Sequence, residues 1–443
     1  MFGTFGTLNV TGTLSASVRN PHLVYGTDDV FLVLDAGTIT PPAGTGFNGN
    51  QQNLVNGINN AILGGGNPNG SFNTLLGFTG SQLNTALSQL TGEAATGGAT
   101  GGMQMMGSFL SLLLNPFGGA PGDNPGALGY ARAFADDAAV SPEAAAAYAA
   151  VTPKDRRARE FENRWGVWGA SYGGYNKTGG DAAAGTNDTT TRAWGLAAGA
   201  DYRASADTVL GFALGGGTMN WGLAQNLGGG RSDVFQLGVY GKHTFGAAYV
   251  SGALSYATHS MTTDRTVTAV VTEEEHASFD AQSFGGRLES GYRFLTPYAG
   301  ITPYAALQVQ QFYTPAYNET AISGPGAFAL SYASKTSTAT RIELGSWFDK
   351  VFALQHGDAL ALRSRLAWAH DHNGDQGLNA VFQSLPGSNF TVNGAGAPDN
   401  SALVTLGAEY RMANNVSLGV KFDGEFASHA QTYSGTGTLR YVW

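Results

Sequence analysis

From Trp165 to Trp443 apolar and polar residues alternate with a period of two, strand after strand. That period belongs to β-structure, where successive side chains point to opposite faces. Tyr433, Gly435, Gly437, Leu439, Tyr441 and Trp443 share one face, and Ser434, Thr436, Thr438 and Arg440 the other. Val416, Leu418, Val420, Phe422 and Phe426 oppose Ser417, Lys421, Asp423 and Glu425. Ile342, Leu344 and Phe348 oppose Arg341, Glu343 and Asp349, and Phe284, Leu288, Tyr292 and Phe294 oppose Arg287, Glu289 and Arg293.

A soluble β-sandwich also alternates, with its apolar face turned to a two-sheet core. Two features favour a transmembrane β-barrel instead. Aromatics gather near strand ends (Trp165, Trp194, Tyr202, Trp221, Tyr292, Phe294, Trp347, Trp368, Tyr441, Trp443), where interfacial girdles lie. Charges of both signs keep to the other face, as in a solvated lumen. Twelve strands are expected, beginning near residues 165, 192, 208, 232, 247, 280, 300, 336, 359, 401, 415 and 431. An even count suits a single-chain barrel of the bacterial outer membrane. The expected fold is therefore all-β: a 12-stranded antiparallel barrel over 165–443. By parity Arg287, Glu289, Arg341, Glu343, Arg363, Arg365, Glu409, Arg411, Lys421, Asp423 and Glu425 line its interior. Facing lipid they would be costly. They either pair structurally around water or line a path and grip a helix inside it.

Composition agrees. Charged residues are 12% of the chain and no apolar run approaches the ~18 residues of a membrane-spanning helix. The net charge of −9 speaks against nucleic acid as a partner, which would need basic patches. Cysteine is absent, which fits passage through an oxidising compartment. The opening MFGTFGTLNVTG carries no basic and then apolar export signal, so the expectation is a longer precursor or a misassigned start.

Upstream, 1–36 reads as short strands, with VYGTDDVFLVLDAG as a hairpin. Residues 37–151 read as a linker. Pro, Gly and Asn dominate 37–50, helical signals run through 51–115 (Leu54, Ile58, Ile62; Leu83, Leu87, Leu90 after Ser81), and 116–151 is biased to Ala, Pro, Gly and Asp. At 152–164 Thr152 suits an N-cap, Pro153 the first helical position and Asp155 the first turn. This charged helix, with Arg156, Arg157, Arg159 and Glu160, is the expected pore helix.

Three motifs tempt a chemical reading. Gly169-Ala170-Ser171-Tyr172-Gly173 matches a nucleophile elbow but lies in a strand with no helix after it. Asp371, Asn373 and Asp375 have the spacing of a calcium loop, yet Gln376 replaces its glycine and Phe382 its bidentate Glu, so an ordinary hairpin loop is expected. Glu273-Glu274-Glu275-His276 reads as a solvated loop. No catalytic residue, metal or cofactor is expected.

RWGVWGASYGG (164–174), WGLAAGADYR (194–203), SYATHSMTTDR (255–265), AQSFGGRLESGYRF (281–294), LAWAHDH (366–372), SLGVKFDGEFAS (417–428) and TYSGTGTLRYVW (432–443) together resemble autotransporter translocator domains. QLNTALSQLTGEA (82–94) resembles the helical segment between passenger and barrel, and VYGTDDVFLVLDAG the last strands of a β-solenoid passenger. The resemblance implies type V secretion: a barrel that exports and anchors an upstream passenger, with a helix left in the pore. It implies the barrel-assembly machinery and periplasmic chaperones as partners, besides outer-membrane lipid and the passenger. It also implies that Leu439, Tyr441 and Trp443 form the assembly signal. Some members cut themselves between paired asparagines in the pore helix; Asn163 has no such neighbour, so that route is not expected. The other readings are a simple channel or structural barrel, and an enzyme.

Overall fold

The computed structural model describes residues 5, 7–12, 14–15, 17–42, 46–114, 164–374 and 377–443. Twelve long strands form the barrel: β3 (Trp165–Thr178), β4 (Thr189–Ser205), β5 (Thr208–Leu223), β6 (Gly229–Phe245), β7 (Ala248–Val267), β8 (Glu273–Tyr292), β10 (Gly300–Thr314), β14 (Lys335–Ala353), β15 (Ala359–Asn373), β18 (Asn400–Arg411), β19 (Val416–Ala427) and β20 (Ala430–Val442). Each pairs antiparallel with the next, and β20 closes the ring on β3 from Ala430 opposite Thr178 to Val442 opposite Gly166. Closure leaves no unpaired edge, a condition for a sheet in hydrocarbon. The twelve starts lie within three residues of those read from the alternation, except β8, which begins at Glu273 rather than near 280.

The outer face shows where the membrane lies. On β8 the outward positions Phe284, Leu288 and Tyr292 are exposed and apolar or aromatic. Eight residues at ~3.3 Å, tilted by about 40°, span roughly 20 Å, close to the apolar band of outer-membrane barrels. Above Phe284 the outward residues become Gln282, Asp280, Ser278, His276 and Glu274. Neighbouring strands change at the same level: Phe235 to Asp233 and Arg231 on β6, Tyr256 to Thr258 and Ser260 on β7. This side of the wall stands clear of the membrane by a comparable height. Short turns join strands at the end that holds both Trp165 and Trp443; the long connections 315–334 and 374–399 lie at the other. Short turns mark the periplasmic end and long loops the outside.

The loops at the outer end are ordered. β11 (Tyr317–Asn318), β13 (Leu330–Tyr332), β16 (Leu378–Phe382) and β17 (Phe390–Val392) form a four-stranded sheet, while β12 (Thr320–Ser323) adds to β8 and β9 (Phe294–Leu295) pairs with β10 at the inner end. On that sheet sit α1 (Gly49–Leu63), α2 (Gly70–Leu76) and α3 (Gly80–Leu90). Asn48 and Gln51 form a capping box on α1, which satisfies donors the first turn leaves free. Leu54, Ile58, Ile62, Phe72, Leu83, Leu87 and Leu90 bury against Phe328, Leu330, Phe382, Phe390 and Val392. The segment read as a linker thus holds a folded cap. Its third helix starts directly after Thr79, which makes no side-chain capping bond, rather than after Ser81. Ahead of it, β1 (Val18–Tyr25) and β2 (Val30–Ala36) make a hairpin with exposed Val24, Phe31, Leu32 and Leu34.

Two expectations change here. Glu273 and Glu275 are buried on β8, not in a solvated loop, and Glu273 accepts hydrogen bonds from the N–H groups of Ala327 and Phe328. Asp371 belongs to β15, where Arg341 donates to it at 2.8 Å.

Candidate functional site: the lumen and its plug

α4 (Gly97–Leu113) lies inside the barrel. Its first turn meets Trp221 and Met261 near the outer ends of β5 and β7, and its last reaches Gly238 midway along β6. The chain therefore enters the lumen from the cap and runs inward. The charged segment expected to be the pore helix, 152–164 with Arg156, Arg157, Arg159 and Glu160, lies outside the described residues apart from Arg164, which precedes β3.

The elbow between cap and plug is clamped. Gly92 takes a positive φ of 68°, and a Cβ there would stand 2.3 Å from the Tyr332 hydroxyl. That hydroxyl donates to the Gly92 carbonyl, and Trp221 Nε1 donates to the Ala94 carbonyl at 2.8 Å. Glu93 accepts from the N–H and side-chain amide of Asn187 at 2.7 and 2.6 Å. Burial pushes its carboxyl up to about 7, against the downward pull of the Asn187 donors. Behind the elbow, the buried Arg265 makes a two-pronged ion pair with Glu319, which also accepts from Tyr332 and the Leu330 N–H.

α4 has two faces, and so does the lumen. Met105, Met106, Phe109, Leu110 and Leu113 pack on a wall of small residues from β3 to β8, including Ala170, Ala197, Ala213, Ala253, Ala257 and Ala281. Phe109 sits where side chains at Gly215 and Gly238 would otherwise stand, and Met106 fills the space at Gly285. The polar face, Thr100, Gln104, Ser108 and Ser111, turns to the other half of the wall across a cavity of about 240 Å³. Gln104 and Gln310 line that cavity, and their Oε1 and Nε2 atoms are buried without a hydrogen-bond partner among the described residues.

The charged half is built from the residues that parity placed inside. Arg287 bridges Glu289 at 2.9 Å and Glu343 at 2.7 Å, and Arg365 approaches Glu343 at 3.4 Å and Asp423 at 3.7 Å. Arg341 pairs with Asp371 at 2.8 Å and Glu425 at 2.5 Å. Lys421 pairs with Asp423 at 2.9 Å and donates to Ser111 of α4 at 3.1 Å. Glu409 pairs with Arg411 at 2.7 Å nearer the inner end; Arg363, half-buried on β15, lies level with Asp349 of β14. The lumen set read from the sequence did not include Asp371, Asp201 and Arg440, the last two an ion pair low in the lumen. The inward parity of Arg440 on the last strand marks that pair. Leu439, Tyr441 and Trp443 are exposed on the outer face.

The fold and lumen define a transmembrane β-barrel of the bacterial outer membrane, closed by a helix from its own chain. The sequence matches the autotransporter beta-domain family over residues 167–423, and the chain belongs to that family. It is an outer-membrane translocator barrel of type V secretion. It is 26% identical over 282 residues to an extracellular serine protease of Serratia marcescens, a match covering 62% of this chain and 25% of the relative. The chain thus spans about a quarter of that protein's length. The barrel is also similar to the β domain of the Bordetella autotransporter BrkA, at 16% identity and a TM-score of 0.48 over 63% of this chain and 99% of that one. It is similar to the translocator domain of NalP from Neisseria meningitidis, at 15% identity and a TM-score of 0.48 over 68% and 97%.

Proposed function

We propose that this barrel exports the chain N-terminal to it and then holds it at the cell surface. One observation carries the reading: α4 threads the lumen from the outer end inward, so the described residues before it lie outside while β3 starts at the inner end. A plain channel needs neither the cap nor the seated helix. The charged half-lumen, balanced in sign, solvates a traversing chain without trapping either charge. The hairpin of β1 and β2, with apolar residues on both faces, is a terminal rung for an upstream β-rich passenger, since an isolated two-stranded hairpin is marginal in water. Leu439, Tyr441 and Trp443, on the outer face of the last strand, form the signal read by the assembly machinery after periplasmic chaperones deliver the chain.

The test is an epitope placed ahead of Phe5, with protease added to intact cells. Export predicts that the epitope is removed while the barrel stays protected. An epitope shielded until the outer membrane is opened would overturn the reading.

A further inference from the structure

α4 is built thin at its outer end and thick at its inner end. Its first two turns carry glycine pairs at 97–98 and 101–102; the next turn carries Met105 and Met106. A glycine inside a helix costs about 1 kcal/mol relative to alanine, so four of them need a spatial reason. The reason is a constriction in the outer half of the lumen. A Cβ at Gly97 would lie 2.2 Å from Trp221, at Gly98 2.6 Å from Met261, at Gly101 3.0 Å from Met219, and at Gly102 2.2 Å from the Phe312 ring. Phe312 is fully buried and held by the His259 ring at 4.9 Å, and His259 is in turn hydrogen-bonded to Ser283. Lower down the relation reverses. The wall supplies the glycines (215, 217, 238 and 285), and the helix supplies the bulk of Met105, Met106, Phe109 and Leu113.

We propose that this counter-taper is an arrest: α4 stops outward movement of the chain at one axial position and bears any pull on the surface-exposed part. A one-turn outward slip of four residues, about 6 Å, carries Gly101 and Gly102 harmlessly into the places of Gly97 and Gly98. The same slip brings Met105 beside Met219, where a Cβ alone already stands at 3.0 Å, and Met106 against the Phe312 ring, where a Cβ would stand at 2.2 Å. An inward slip of the same size carries Glu93 and Ala94 into the places of Gly97 and Gly98 beside Trp221 and Met261, so the elbow residues resist movement in that direction. The positioning residues are Trp221, Phe312, Met105 and Met106. The inference rests on the export reading only for the sense of the pull.

The test is force spectroscopy on the full chain refolded into a supported bilayer, pulled outward by a handle ahead of Phe5. Met105→Gly/Met106→Gly should lower the force that extracts α4 by about half or more, because the slipped register then fits. Leu110→Gly/Leu113→Gly, which removes comparable apolar contact and adds the same glycine cost below the constriction, should lower thermal stability as much yet leave the extraction force near that of the unaltered chain. Phe312→Ala, which widens the constriction from the wall, should reproduce the weak phenotype if the Met pair fails to fold. Equal loss of force in the Met and Leu pairs, or an unchanged force in both the Met pair and Phe312→Ala, would overturn the arrest. Neither result depends on whether an upstream segment is exported.

Discussion

Phe109→Ala should release the plug while leaving the barrel intact. Phe109 is fully buried, its ring standing against the bare backbone of Gly215 and Gly238 and beside Tyr172 at 6.3 Å. Truncating such a phenylalanine costs about 3–5 kcal/mol, the lost transfer energy plus the cavity that the rigid wall cannot collapse into. Opening of α4 should become more frequent by about 10²- to 10⁴-fold, since each ~1.4 kcal/mol is a factor of ten. Hydrogen exchange on the chain in vesicles reads this directly. Amides of 103–113 should exchange faster by that factor, while those of β18 and β19, on which the apolar face of α4 does not pack, keep their protection. The wall-side partner is Gly215→Ala, whose Cβ would lie 3.0 Å from the Phe109 ring; it should loosen the plug by about 1–3 kcal/mol through overpacking. Combined with Phe109→Ala it should cost less than the two added. Unchanged exchange in α4, or equal acceleration in β18 and β19, would refute the packing argument.

Leu418→Arg, on the lipid face, should cost about 2–4 kcal/mol of folding stability near the midplane, whereas Ser434→Arg, which faces the lumen cavity, should cost far less; refolding titrations in vesicles would show the order. Thr405 is not a neutral lumen position, because it accepts from Arg365 and donates to Asp423. Deleting Trp443 should leave the chain in the periplasm, and fractionation showing normal outer-membrane levels would contradict its role in assembly. Glu93 titrates at about 7 in the folded state against an ordinary 4.5. The folded state therefore holds its proton longer, so elbow stability is greatest below pH 4.5 and falls as pH rises through about 7. Proteolysis of the elbow should be slower at pH 5 than at pH 8, and Glu93→Gln should remove the difference.

The barrel was legible because lipid and water impose opposite demands on alternate residues, so eleven strand starts could be read to within three positions. β8 was misplaced because its first ten residues rise above the membrane: with water on the outer face, Glu274 and His276 look like loop residues even though Glu273 and Glu275 are buried. The plug was harder. Capping signals and charge point to 152–164, which lies outside the described residues apart from Arg164. Among the described residues the lumen charges largely satisfy one another, as Arg287 with Glu343 and Arg341 with Asp371 and Glu425 show. The helix inside begins GGATGG, a poor helix former by propensity, and its seat is assembled from glycines on β5, β6 and β8 far away in the chain. No local pattern reports such a match. Its sequence traces are the helical signals read over 51–115 and the apolar residues that follow Met103.

The most direct measurement is planar-bilayer conductance. If α4 fills one half of the lumen and only a narrow polar cavity remains beside it, the full chain should conduct weakly. A chain beginning at Arg164, which lacks α4 and the cap, should open a pore several times larger. Equal conductance from the two would mean that the helix does not occupy the barrel and would contradict the account at its centre.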